Sequence, residues 1–177
     1  MGTALLDHYR LMARYNAWFN QRLFDACERL TGEERTRDRG AFFGSVHRTL
    51  QHLLLGDKMW LQRFAGQGVI FAALPPSLLA LPLGSDYSSD LHPHWHDLRR
   101  TREAVDAAVV QWLAHMTPDF LTRTMRYANT KGVPRVHPAW QALSHFFNHQ
   151  THHRGQVTTL LMQAGIDPGT TDLIALV

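Results

Sequence analysis

The 177-residue chain has one cysteine, Cys27, and two lysines, Lys58 and Lys131. A single cysteine excludes an internal disulfide and any zinc site built on several thiolates, and it agrees with a reducing compartment. No stretch approaches the roughly 18 to 20 apolar residues that a membrane span needs. The opening segment MGTALLDHYRLMARYNAW carries Asp7, Arg10 and Arg14 too early for an unbroken secretory core. Leu6 also stands where a myristoylation motif after Gly2 wants Ser or Thr. The expected location is therefore the cytoplasm.

What is present describes one folded domain spanning residues 1–177, with 45% hydrophobic and 19% charged residues. The formal charge of +3 and the isoelectric point near 9.4 come mainly from arginine. Two clusters, Arg35, Arg37 and Arg39, then Arg99, Arg100 and Arg102, read as solvated faces, since no nucleic-acid motif accompanies them.

Periodicity predicts an all-α four-helix bundle. Leu5, Tyr9, Met12, Phe19, Leu23, Ala26 and Leu30 mark one stripe of a first helix that Thr31-Gly32 should close. A second helix is expected from about Ala41 to Phe64, apolar around most of its circumference. Residues 66–88, with Pro75-Pro76, Pro82 and several glycines, form a long crossover to the third helix. That helix should be capped by Ser89 or Asp90, carry Pro93 in its first turn and end at Thr117-Pro118. Residues 120–136 leave room for a short hairpin around Asn129-Thr130-Lys131-Gly132. The fourth helix runs from about Pro138 to Ala164, with Gly165 as its stop.

The segment HFFNHQTHHRGQV, residues 145–157, holds four of the chain's 12 histidines. Four residues advance an α-helix by about 400°, so His145, His149 and His153 form one column within about 40° of a common direction. The column borders the apolar face, where an imidazole without a partner costs roughly 1 to 3 kcal/mol. A metal ion would satisfy several rings at once. The HExxH protease motif is excluded, because Gln150 stands in place of its general base. His52, at the middle of the second helix as His149 and His153 are at the middle of the fourth, is the natural third ligand. His47 and Asp57 are each rotated about 140° from His52 and receive no role in the site. HPHWH, with His92, His94 and His96, reads as a loop-to-helix junction rather than a second metal site, and the five tryptophans as core or interface anchors.

Three segments also carry a family likeness: RYNAWFN, RTLQHLLLGDKMWLQRF and HFFNHQTHHRGQVTTLL. Together they resemble the signature segments of the DinB family over nearly the whole chain. The resemblance implies a four-helix bundle, a homodimer, and a divalent metal such as zinc or nickel on His52, His149 and His153. The wider superfamily includes YfiT-type metal-dependent hydrolases, mycothiol-dependent maleylpyruvate isomerase and bacillithiol transferases. Family members often carry asparagine where this chain has Gln51, just before the second-helix histidine.

Three histidines without a fourth protein ligand would leave an open coordination position, as in catalytic metal sites. Water there becomes acidic enough for hydrolysis, or a low-molecular-weight thiol can be activated for transfer to a small-molecule substrate. Gln156, one turn beyond His153, together with Asn16 and His145, are candidates for orienting the ligands. Asn16 has a plainer alternative, a bond to a neighbouring backbone group. Two rival functions remain at this point: a non-catalytic metal-binding stress protein, and a nucleic-acid-binding protein linked to DNA damage.

Overall fold

The computed structural model describes residues 2–82, 84–86 and 89–177. Its first element, α1 (Gly2–Glu28), buries Leu6, Tyr9, Ala13, Asn16, Asn20, Leu23 and Cys27 at alternating spacings of three and four, which keep one face on the core. The face begins one residue later than expected: Leu6 and Ala13 are buried, while Leu5 and Met12 are only partly covered. α1 also stops before Thr31-Gly32, and Gly32 does not take a positive φ. Instead Thr31 caps a new short helix, α2 (Gly32–Thr36). Its hydroxyl accepts the Glu34 amide at 3.2 Å and the Glu34 carboxylate accepts the Thr31 amide at 2.8 Å. This reciprocal pair starts a helix more strongly than Gly32 ends one.

The next long helix, α3 (Val46–Ala65), begins five residues later than the sequence suggests. Gly40 and Gly44, at φ 71° and 77°, break the chain into a tight turn closed by a bridge between Ala41 and Gly44, and Ser45 then caps the helix. Sixteen of the twenty residues of α3 are buried, so it is covered around most of its circumference. The crossover follows, with one short helical turn, α4 (Pro76–Leu79); positions 83, 87 and 88 of the expected crossover lie outside the described residues.

α5 (Trp95–His115) starts later than its predicted Ser89 or Asp90 cap, from His94, with Pro93 outside the helix. Asp90 is engaged elsewhere, accepting a hydrogen bond from Gln51. After a 3-10 turn at Pro118–Thr122 come β1 (Thr124–Ala128) and β2 (Pro134–Pro138), the anticipated hairpin, antiparallel with Thr124 opposite Pro138. Asn129 accepts the amides of Lys131 and Val133, and Gly132 takes a positive φ of 74° to complete the turn. α6 (Ala139–Gln163) ends as predicted at Gly165, φ 77°, with the Ile166 amide reaching back to the Leu161 carbonyl.

α1 packs on α5 and α6, and α3 packs on α6 and, less extensively, on α5, closing a ring of four helices. Among the described residues no helix is long and apolar enough to cross a membrane. The bundle's interior is not wholly apolar. Arg102 of α5 donates to Asp57 of α3 at 2.6 Å and to Asp106 one turn along at 2.7 Å. Asn16 and Asn20 of α1 donate to the same Asp106 carboxylate. Arg154 of α6 donates to the Asn16 side-chain oxygen Oδ1 and lays its guanidinium over the Phe19 and Tyr15 rings at 4.7 and 5.1 Å. Burial pushes the Asp57 carboxyl up to about 6 against the pull of Arg102, and pushes Arg154 down to about 10.

Removing one partner from such a cluster strands the others in a poorly solvating interior. Arg102→Leu is expected to lower unfolding free energy by about 3–5 kcal/mol in urea titrations. The deficit should be smaller at about pH 5 than at about pH 8, because the stranded carboxylates then take up protons.

Candidate metal centre

His52 projects from the middle of α3, and His149 and His153 project one turn apart from α6. Ring centroids lie 5.2 Å apart for His52 and His149, 4.5 Å for His52 and His153, and 4.4 Å for His149 and His153. One nitrogen from each ring falls within 4.8 Å of the other two, and the three form a group that can hold a metal ion. The His52 and His149 Nε2 atoms are 3.2 Å apart. Two imidazole nitrogens on one tetrahedral zinc at about 2.05 Å stand roughly 3.3 Å from each other, so this spacing already suits a shared ion.

The convergence depends on a missing side chain. A Cβ at Gly56 would stand 2.7 Å from Cε1 of His149, closer than packed atoms approach. Gly56 is one turn beyond His52 on α3, so the His149 ring occupies the surface that any other residue there would fill. Phe43 closes another side, stacking on His52 with centroids 4.0 Å apart and meeting the His153 ring edge-on at 5.5 Å. The rings open into a cavity of about 510 Å³ walled by Phe42, Phe43, Met59 and Trp60. A second cavity of about 620 Å³ shares Phe42, Phe43 and His52 with the first. Both volumes suit a small molecule.

Burial favours the neutral form of the two α6 rings. Burial, reinforced by His153 and His52, pushes His149 down to about 3, and burial likewise lowers His153. Neutral imidazoles present lone pairs, the form a metal requires. Gln156 Oε1 lies 2.8 Å from His153 Nδ1, which places the proton on Nδ1 and leaves Nε2 for the cluster. The Gln156 amide also donates to His152 at 3.3 Å. His149 Nδ1 is buried without a hydrogen-bond partner among the described residues.

The other expected site residues divide. His145 lines the same cavity, its ring 5.0 Å from Trp60 and 6.0 Å from His149, outside the group of three. Asn16 is a correction: its side chain belongs to the ionic cluster with Asp106 and Arg154 inside the bundle. The α1 position facing the core does not face the histidines. Gln51 turns away too, donating to Asp90 and to the His92 carbonyl and accepting the His92 amide at 3.0 Å, so it clamps residues 90–92 onto α3. His47 meets that same segment through the His92 carbonyl.

Gly56 and Phe43 were missed. A lone glycine within an apolar helix, four residues after a candidate ligand, was the available signal for Gly56. Phe43 offers none, because the sequence pattern runs it into the second helix.

The DinB family model matches residues 1–176. Protein DinB of Bacillus subtilis (strain 168) is 27% identical over 159 residues, 89% of this chain and 87% of that protein. No solved structure matches the chain.

Gly56→Ala removes a helix-interior glycine, a change worth up to about 1 kcal/mol in helix propensity, yet it forces the His149 ring away. The expected result is unchanged helicity by circular dichroism with metal affinity lowered about tenfold or more, measured against a chromogenic chelator. The depressed His149 pKa has a second consequence. Between 6.5 and about 3 the unfolded chain holds a proton that the folded metal-free protein lacks, so stability is full above 6.5 and drains as pH falls. The raised pKa values of Asp57 and Asp106 act in the opposite sense, so the readout is a difference. Urea midpoints of metal-free wild type should fall more steeply on acidification than those of His149→Leu; parallel curves would contradict it.

Proposed function

The chain belongs to the DinB family, and we propose that it is a metal-dependent enzyme in which His52, His149 and His153 hold a divalent ion, zinc or nickel, beside a small-molecule pocket. The reaction in this reading is hydrolysis or the transfer of a low-molecular-weight thiol. One observation carries it: three imidazoles from two helices converge at a cavity of about 510 Å³, and among the described residues no carboxylate or thiol joins them. A purely structural site would be closed by a fourth protein ligand. The cavity supports this reading over simple metal storage, which needs no adjoining chamber.

An ion held by His52, His149 and His153 would supply Lewis acidity that lowers the pKa of a water or thiol. The chain's own groups do the rest. Gln156 holds the His153 proton at Nδ1 and thereby fixes that ring's orientation. Phe43 presses on His52 and excludes water from one face. His145, its pKa lowered by burial, is a neutral base within the cavity and can take a proton at a ring nitrogen. The homodimer that the family likeness implies belongs to the same proposal, and sedimentation equilibrium measures it.

Elemental analysis of purified protein should find about one divalent ion per chain, lost in each of His52→Ala, His149→Ala and His153→Ala. Unchanged stoichiometry in any of the three rejects the assignment. With metal-loaded protein, turnover of simple esters or amides without a thiol indicates a hydrolase, and strict thiol dependence a transferase.

A further inference from the structure

Among the described residues lining the histidine cavity, Arg63 is the one aspartate, glutamate, lysine or arginine. The stripe of α3 that carries His52 and Gly56 continues through Met59 and Trp60 to Arg63, about three turns and roughly 16 Å of helix axis from His52. Its guanidinium lies over Trp60 at 4.6 Å and over Tyr127 of β1 at 4.9 Å. The two rings stand 5.5 Å apart at 68° to one another, so the guanidinium sits in the aromatic corner between them. The Arg63 side chain makes no hydrogen bond or ion pair with any described residue. Arg99 and Arg102, by contrast, are tied to three and two carboxylates respectively. Arg63 therefore holds its guanidinium in an aromatic corner with donors that no described protein group takes, and such a group matches a carboxylate. Its field reaches into the cavity, where it helps to lower the pKa of His145.

We propose that the pocket takes an elongated, flat apolar molecule bearing a carboxylate, with Arg63 gripping the carboxylate and the apolar body running along Trp60 and Met59 toward the histidines. The proposal rests on the metal-centre reading for the chemistry at the histidine end only; the anion grip itself needs no metal. A positive group, aromatic walls and no acidic residue together disfavour cations and strongly polar neutral molecules such as sugars. The simplest rival is that Arg63 merely covers the apolar face of Trp60.

The test measures binding of biphenyl-4-carboxylate and its neutral analogue biphenyl-4-carboxamide by calorimetry. Four proteins are compared: metal-loaded wild type, metal-stripped wild type, Arg63→Gln and Arg63→Lys. Wild type should prefer the carboxylate by about tenfold or more, with or without metal. Arg63→Gln should lose that preference while keeping wild-type metal content and melting temperature. Arg63→Lys, which keeps the charge but not the fork, should retain part of it. The proposal is overturned if wild type shows no preference or if the preference survives in Arg63→Gln. It is overturned equally if the preference vanishes on stripping the metal, since the carboxylate was then binding the ion. Metal content of the wild type reports separately on the metal-centre reading: an ion bound without carboxylate preference sinks this inference alone, and preference without a bound ion sinks the other.

Discussion

Where α3 and α6 cross at Gly56, no side chain separates them, and the His149 ring fills the gap. Helix axes in a bundle ordinarily stand 8–10 Å apart, a distance set by the residues between them. Imidazoles from two facing helices meet only if one helix gives up its own side chain at that level. A glycine inside a helix costs roughly 0.5–1 kcal/mol relative to alanine. That cost recurs nowhere else in the body of α3, and at Gly56 it coincides with the ring contact on which the three-histidine group depends.

The bundle must then hold two helices in register closely enough that one ring fits one notch. Apolar packing tolerates small sliding, because many arrangements of leucines bury similar area. Ion pairs do not. Gln150 and Arg154 directly follow His149 and His153 in α6, and Asp57 directly follows Gly56 in α3, so His149, His153 and the Gly56 notch are each one residue from the polar interior. Arg102 joins α3 to α5, and Asp106 with Asn16 links α5, α1 and Arg154. The histidine face and the ionic interior are adjacent surfaces of the same two rods, and locking the second fixes the register of the first.

Much of this was legible beforehand. The i, i+4 column in α6 and the mid-helix position of His52 follow from helical rotation alone, and rotation does not depend on tertiary context. Gly132 and Gly165 were readable because their turns need a positive φ. Other features depend on pairings that spacing does not encode. The start of α3 was misplaced because Gly40 and Gly44 divide an apparently continuous pattern, hiding Phe43. Asn16, a polar residue on a buried stripe, shows in the sequence only that it has a partner. That partner was Asp106, ninety residues away on another helix. The start of α5 was masked in the same way, since Asp90 looks like a cap until Gln51 takes it.

The two chambers beside His52 have Phe42 and Phe43 in common. Phe43 sits on a turn flanked by Gly40 and Gly44, outside every helix. A partition mounted on a turn can change size by substitution without disturbing the rods that carry the histidines. Relatives sharing the same imidazole geometry can therefore differ widely in the bulk they admit, and selectivity is free to diverge while the chemistry at the floor stays constant.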